Sequence, residues 1–207
     1  MPQLIAMIIV VVGAMIYMFQ TFGGTGDKIE GIAQKTSVIT EINNIKNGLK
    51  LAARAQHIST DGADESSQTL EGLAELAYFP EQINQQLDGN GADANNAYNA
   101  ISFGADNSMV ISLVSDVAGA IPGIYVDLSQ GSLATNAGFL EAQIATDLAS
   151  VASIDRGATS ASAGAIAAVA GDPIASRTPA DNGDGGADND GRFIIYFNDF
   201  AANEVVR

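Results

Sequence analysis

The chain contains no cysteine, no tryptophan and a single histidine, His57, in 207 residues. Without thiols there is no disulfide framework, no zinc-thiolate centre and no cysteine nucleophile. One histidine beside polar loop residues removes the usual nucleophile and base pairs, and His57 reads as a solvated helix end. No Gly-x-Ser-x-Gly elbow, His-Glu-x-x-His pair or P-loop is present, so no enzyme is expected. Basic residues are also scarce: Lys+Arg number 9 against Asp+Glu 24, a net charge of −15. That sign is wrong for nucleic acid, and an acidic outer surface in salty, divalent-rich water is the simpler expectation. With 22 Gly, 16% charged and 47% hydrophobic residues the chain is not disordered as a whole, and it shows no internal period.

Charge is missing altogether between Leu4 and Phe22, an apolar run of about 19 residues, close to the ~20 that cross a bilayer. Leu, Ile, Phe and Val there each favour insertion by about 0.3 to 0.6 kcal/mol, and no Asp, Lys or Arg opposes them at ~3 kcal/mol. A signal peptide is shorter, with a basic region before it and a small-residue cleavage site after it; this run has neither. It is read as a membrane or filament-core helix. Basic residues follow it (Lys28, Lys35, Lys46, Lys50, Arg54) and none precedes it, which taken alone would put the remainder inside a cell. A short basic leader removed ahead of Met1 reconciles that bias with the acidic, Gly/Ala/Ser/Asn-rich remainder, and such processing is the expectation.

Length and composition suit this helix plus one domain of about 150 residues. Gly23, Gly24 and Gly26 follow the run, and each costs a helix about 1 kcal/mol relative to Ala, so the rod is expected to hinge there; Gly13 is a lone small residue within it. Asp27, or Thr25, is a fair N-cap, with Glu30 three residues on from Asp27. From Lys28 to about Ile58, Ile29, Ile32, Ala33, Thr36, Ile39, Ile42, Ile45, Leu49 and Ala52 or Ala53 define one helical stripe, with the basic residues largely off it. Three units follow: 1–26, the hydrophobic helix and its hinge; 27–58, its amphipathic continuation; and 59–207, a globular head.

In the head, Leu70 to Ala77 reads as a short helix capped by Ser67 or Thr69, broken at Pro80. An Asn/Asp/Gly-rich stretch runs on to Ala97. Met109 to Val114 and Ile124 to Leu128 are strand candidates around a turn at Gly119 to Gly123. Asn136 to Ser153 reads as a second amphipathic helix, with Phe139, Leu140, Ile144, Leu148 and Val151 at helical spacing. Arg156 to Ala170 is so small and mixed that loop, helix and close-packed surface all remain open. Phe193 to Phe197 is the strongest strand signal. The fold class is α+β: a long N-terminal helix with a glycine interruption, packed on a head with a small antiparallel sheet.

Between Asp181 and Gly191, Asp181, Asp184, Asp188 and Asp190 alternate with Asn and Gly. That spacing lets hard oxygens face one Ca²⁺, although the bidentate Glu and full spacing of an EF-hand are absent. A solvated turn has the same composition, and both readings stay open.

The apolar rod, glycine interruption, amphipathic continuation and head of strands and helices resemble type IV pilins, most closely the type IVb kind, over residues 1 to about 58. The head resembles them in general layout only. The resemblance implies cleavage by a prepilin peptidase, N-methylation at Met1, and an inner-membrane pool drawn by pilus assembly machinery into an extracellular homopolymer for adhesion, motility or uptake. Leu4, Ile5, Ile8, Ile9, Val12, Ile16 and Phe19 would form the filament core, and melting would fall at Gly13 or at Gly23 to Gly26. Ile5 stands where the family usually has a glutamate, and the C-terminal disulfide of many such heads is impossible here. An ion in the Asp181 to Asp190 loop, as in similar pseudopilins of type II secretion, could replace it. Such a pseudopilin, or a single-span anchored binding protein that never polymerises, are the alternatives.

Overall fold

A computed structural model describes residues 31–63, 66–87, 98–100, 103, 107–166 and 169–207. Met1, the run from Leu4 to Phe22, the glycines at 13, 23, 24 and 26, and the Asp27 cap lie outside the described residues. The described chain is α+β. Its first element, α1, is helical over the 24 residues 31–54. Among the described residues no helix is long and apolar enough to cross a membrane.

Two short helices follow, α2 (Leu70–Glu75) and α3 (Glu81–Gln86), then β1 (Tyr98–Asn99), β2 (Val110–Val114) and β3 (Gly123–Asp127). A 3₁₀ turn at Gly131–Asn136 leads into α4 (Ala137–Leu148), and β4 (Ala152–Asp155) and β5 (Arg192–Phe197) complete the set. The five strands form one antiparallel sheet in the order β1-β2-β3-β5-β4. β5 lies between β3 and β4, covered on both faces, which is why Phe193-Ile194-Ile195-Tyr196-Phe197 is apolar without alternation.

Strand periodicity sorts the side chains into two layers. Ile111, Leu113, Ile124, Val126, Phe193, Ile195 and Phe197 face the helices and share a core with Val38, Ile42, Ile45, Leu49, Ala52 and Ala53 of α1 and Leu140 and Ile144 of α4. Val114, Tyr125, Ile194 and Tyr196 face the other way and are covered by Ala158, with Ala161 and Ala163 against them. The segment left open in the sequence is thus partly a close-packed cover, and its residues are small because it lies flat on the sheet. Tyr125 donates its hydroxyl to the Thr159 carbonyl (3.0 Å), and burial, with the Asp127 charge, pushes its pKa up to about 12.

Three expectations need correction, and two, the α2 cap and the break at Pro80, are made more definite. The stripe of α1 runs through Gly31, Val38, Ile42, Ile45 and Leu49; Ile32, Ala33 and Thr36 are exposed. Thr69, not Ser67, caps α2, its hydroxyl accepting from the Gly72 N–H (3.2 Å). Pro80 does not simply break structure but stands at the N-cap of α3, where its missing N–H costs nothing. The second amphipathic helix stops at Leu148, and Ala152 to Asp155 pair with Phe197 to Ile194 instead; Phe139 and Val151 are exposed. His57 is not a free helix end either: its Nδ1 lies 2.7 Å from the Tyr78 hydroxyl.

Gly48 sets how closely α1 meets the chain after α2. A Cβ there would press into the Phe79 ring and stand 2.8 Å from the Tyr78 carbonyl oxygen. Ala would gain about 1 kcal/mol in helix propensity, but overpacking against backbone costs about 1–3 kcal/mol. Gly48→Ala is therefore expected to lower the urea midpoint, by the equivalent of about 1 kcal/mol.

Candidate functional site

Two constructions organise the chemistry of the head: the fastening of α1, and the Asp/Asn/Gly loop. The basic residues of α1 that fall off its stripe all reach acids or carbonyls of the head. Lys35 meets Asp147 (2.6 Å), Lys46 and Lys50 meet Asp199 (3.3 and 3.1 Å), and Arg54 meets Glu204 (2.6 Å). Past Glu204 the tail is sewn in by main chain: Val206 bonds both ways with Gly119 and Ala120, and Arg207 both ways with Ile58 and Thr60. Ion pairs and a main-chain clasp close this cysteine-free head.

Burial alone would raise the Asp199 and Glu204 carboxyls, yet both are held below the usual carboxylate range. Lys50 and Lys46 do this for Asp199; the Ala201 N–H and Arg54 do it for Glu204. A carboxyl depressed in the folded state stabilises it above the ordinary pKa of about 4, and that contribution is lost as pH falls through the folded value. Asp155 acts in the opposite sense. Burial and the Asp181 charge raise it against the N–H groups of Asn182 and Gly157, so acidification relieves a strain. Unfolding free energy is expected to fall below about pH 4, and Glu204→Gln to flatten that fall, when denaturation is followed between pH 7 and 3.

The loop from Asp181 to Gly191 is held by α4 and by the turn after β4. Asn189 passes so close over the first turn of α4 that a Cβ on Gly138 would stand 3.0 Å from its carbonyl carbon. One turn along, Glu141 is fully buried. It accepts from the Asn189 and Gly191 N–H groups (2.9 and 2.8 Å) and from Arg156 Nε (2.7 Å). Arg156 also donates to Asn189 Oδ1 (2.9 Å) and lies 3.2 Å from Asp188. A buried charge with three donors is satisfied. Glu141 and Arg156 fasten the loop to α4 and to the turn after β4.

The four loop carboxylates do not come together. Asp181 accepts from the Gly183 N–H (2.8 Å). Asp184 accepts from Ser160, Thr159 and Asn182 side chains (2.9, 3.2 and 2.9 Å), which hold it below the usual range. Asp188 faces Arg156, and Asp190 pairs with Arg192 (2.7 Å). Among the described residues no three His, Cys, Asp or Glu side chains are placed to share an ion.

What the loop does build is a cleft of about 250 Å³ bordered by Asp155, Gly157, Asp181, Asp188 and Tyr196. Ser153 and Asp155 of β4 pair with Tyr196 and Ile194 of β5, which brings Asp155 and Tyr196 up on the same sheet face. Sequence reading missed Glu141, Asp155, Arg156 and Tyr196 as a group. One signal was available: Glu141 falls among Ala137, Leu140 and Ile144, and an acid on an apolar stripe requires buried donors. No family model, curated protein or solved structure matches this chain.

Proposed function

We propose that this chain is the structural subunit of an extracellular filament of the type IV pilus kind. Units 1–26 and 27–58 form the continuous glycine-interrupted rod and 59–207 the outward head. The observation that carries the reading is the charge-free run from Leu4 to Phe22 leading toward α1, which the head grips by a buried stripe and four basic side chains. A rod so held moves with its head, as a protomer drawn from a membrane must.

In lipid such a run gains little by association beyond packing; in water its faces must be covered. Copies of itself are the available cover, and a heterologous contact that does not close propagates as a fibre. At ~25 cal/mol per Å² the burial is a large drive per subunit. The acidic head suits the solvated outside.

Shearing cells and sedimenting the released material tests this. The chain is expected in the pellet as long filaments. Short fibres confined to the envelope would favour a secretion pseudopilin, and a chain found only dissolved in membrane would favour an anchored binding protein.

A further inference from the structure

We propose that the cleft between the end of β4 and the Asp181 loop binds a primary ammonium group. Tyr196 lines it and is 1% exposed, yet its hydroxyl has no hydrogen-bond partner among the described residues. Buried polar groups are nearly always partnered, so an orphan in a cleft marks a position for something else. Three carboxylates, Asp155, Asp181 and Asp188, border the same space, and Asp188 faces Arg156. Asp155 is 8% exposed, and each oxygen accepts one main-chain N–H, from Gly157 (3.0 Å) and Asn182 (3.2 Å), leaving further lone pairs. Asp181 spends Oδ1 on Gly183. Gly157 forms the floor: a Cβ there would stand 3.3 Å from Asp181 Oδ2 and 3.6 Å from Asp155 Oδ1.

Arg156 also lines the cleft, but its guanidinium is committed to Glu141, Asn189 and Asp188, which leaves Asp155 and Asp181 without an ion-pair partner among the described residues. A divalent ion is poorly served, because among the described residues no three acidic or histidine side chains converge. An ammonium has three N–H donors and needs three acceptors, and Asp155, Asp181 and the Tyr196 oxygen are three. The volume, about 250 Å³, exceeds the ~30 Å³ share of one water and admits an alkyl stem against Ile154 and Pro179. A free alkylamine and a lysine of a second copy offer the same group. This inference does not depend on the filament reading.

The full-length chain in detergent micelles, carrying ¹³C-labelled tyrosine rings, is titrated with n-butylammonium chloride, the Tyr196 signal being assigned by Tyr196→Phe. That signal is expected to move saturably with butylammonium, and not with tetramethylammonium chloride at equal ionic strength, which has no N–H to donate. Asp181→Asn, at an exposed position, and Gly157→Ala, which narrows the floor, are each expected to weaken binding at least tenfold. A response equal for both cations, no saturation, unchanged binding by Asp181→Asn, or displacement of butylammonium by calcium chloride at lower concentration would overturn the proposal. Carbodiimide coupling in a mixture of ¹⁴N and ¹⁵N chains separates the sources. Asp181 joined to a lysine of the other isotope assigns the site to a second copy, and butylammonium binding without that product assigns it to a free amine.

Discussion

Glu141→Ala is expected to destabilise the head by about 3–5 kcal/mol, the range for removing one partner of a buried charge pair. The residue is fully buried, and its loss strands three donors together: Arg156 Nε and the N–H groups of Asn189 and Gly191. Each main-chain group left unpaired costs about 1–3 kcal/mol, while Arg156, its side chain 26% exposed, recovers part of its hydration. Against a total stability of about 5–15 kcal/mol this is a large share. Glu141→Gln keeps one acceptor oxygen and should lose clearly less. Urea denaturation followed by far-ultraviolet circular dichroism checks both, with a lowered midpoint and an unchanged slope. An Ala variant within 1 kcal/mol of the parent would show that the loop is held by something other than this carboxylate.

Leu49→Ala is expected to cost about 2–5 kcal/mol, the range for a buried leucine whose cavity cannot collapse. Leu49 is fully buried and shares the core in which α1 meets β2, β3 and β5. Gly48 beside it already brings Phe79 as close as packing allows, so the neighbourhood has little freedom to close the gap. The loss should be felt first by α1, whose remaining attachments are partly exposed ion pairs of about 1 kcal/mol or less each. Amide exchange resolved along the chain checks this. Protection over 31–54 should fall more than protection in β5; equal loss everywhere would mean that α1 and the sheet open only as one unit.

The sequence made β2, β3 and β5 legible because their β-branched and aromatic runs sit between clear turns. β4 was hidden for a physical reason. Val151 continues the helical spacing of Ile144 and Leu148, and only pairing with Phe197 to Ile194 overrides it; that competition is settled by tertiary contact. Ile32 and Phe139 were misplaced because apolar spacing fixes a stripe only to within a neighbouring row, whereas burial selected Gly31, Val38 and Leu140.

The acidic loop was visible as composition, but what it does was not. Asp181, Asp184, Asp188 and Asp190 looked like one ligand set because they are neighbours in the chain. In the fold each meets a different partner, and the cleft sets Asp181 and Asp188 beside Asp155 and Tyr196, which strand register brings together. Register depends on which strand lies beside β5, and no local pattern in 152–155 announces it.

The central claim is that the run from Leu4 to Phe22 exchanges lipid for copies of itself. Electron cryomicroscopy of cell-surface filaments, with density traced against these residues, tests it most directly. The account predicts a helical array in which Leu4, Ile8, Val12, Ile16 and Phe19 pack against neighbouring rods along the axis, with the acidic heads outermost. Filaments in which that run faces solvent, or native chains found only as single molecules in membrane, would contradict it.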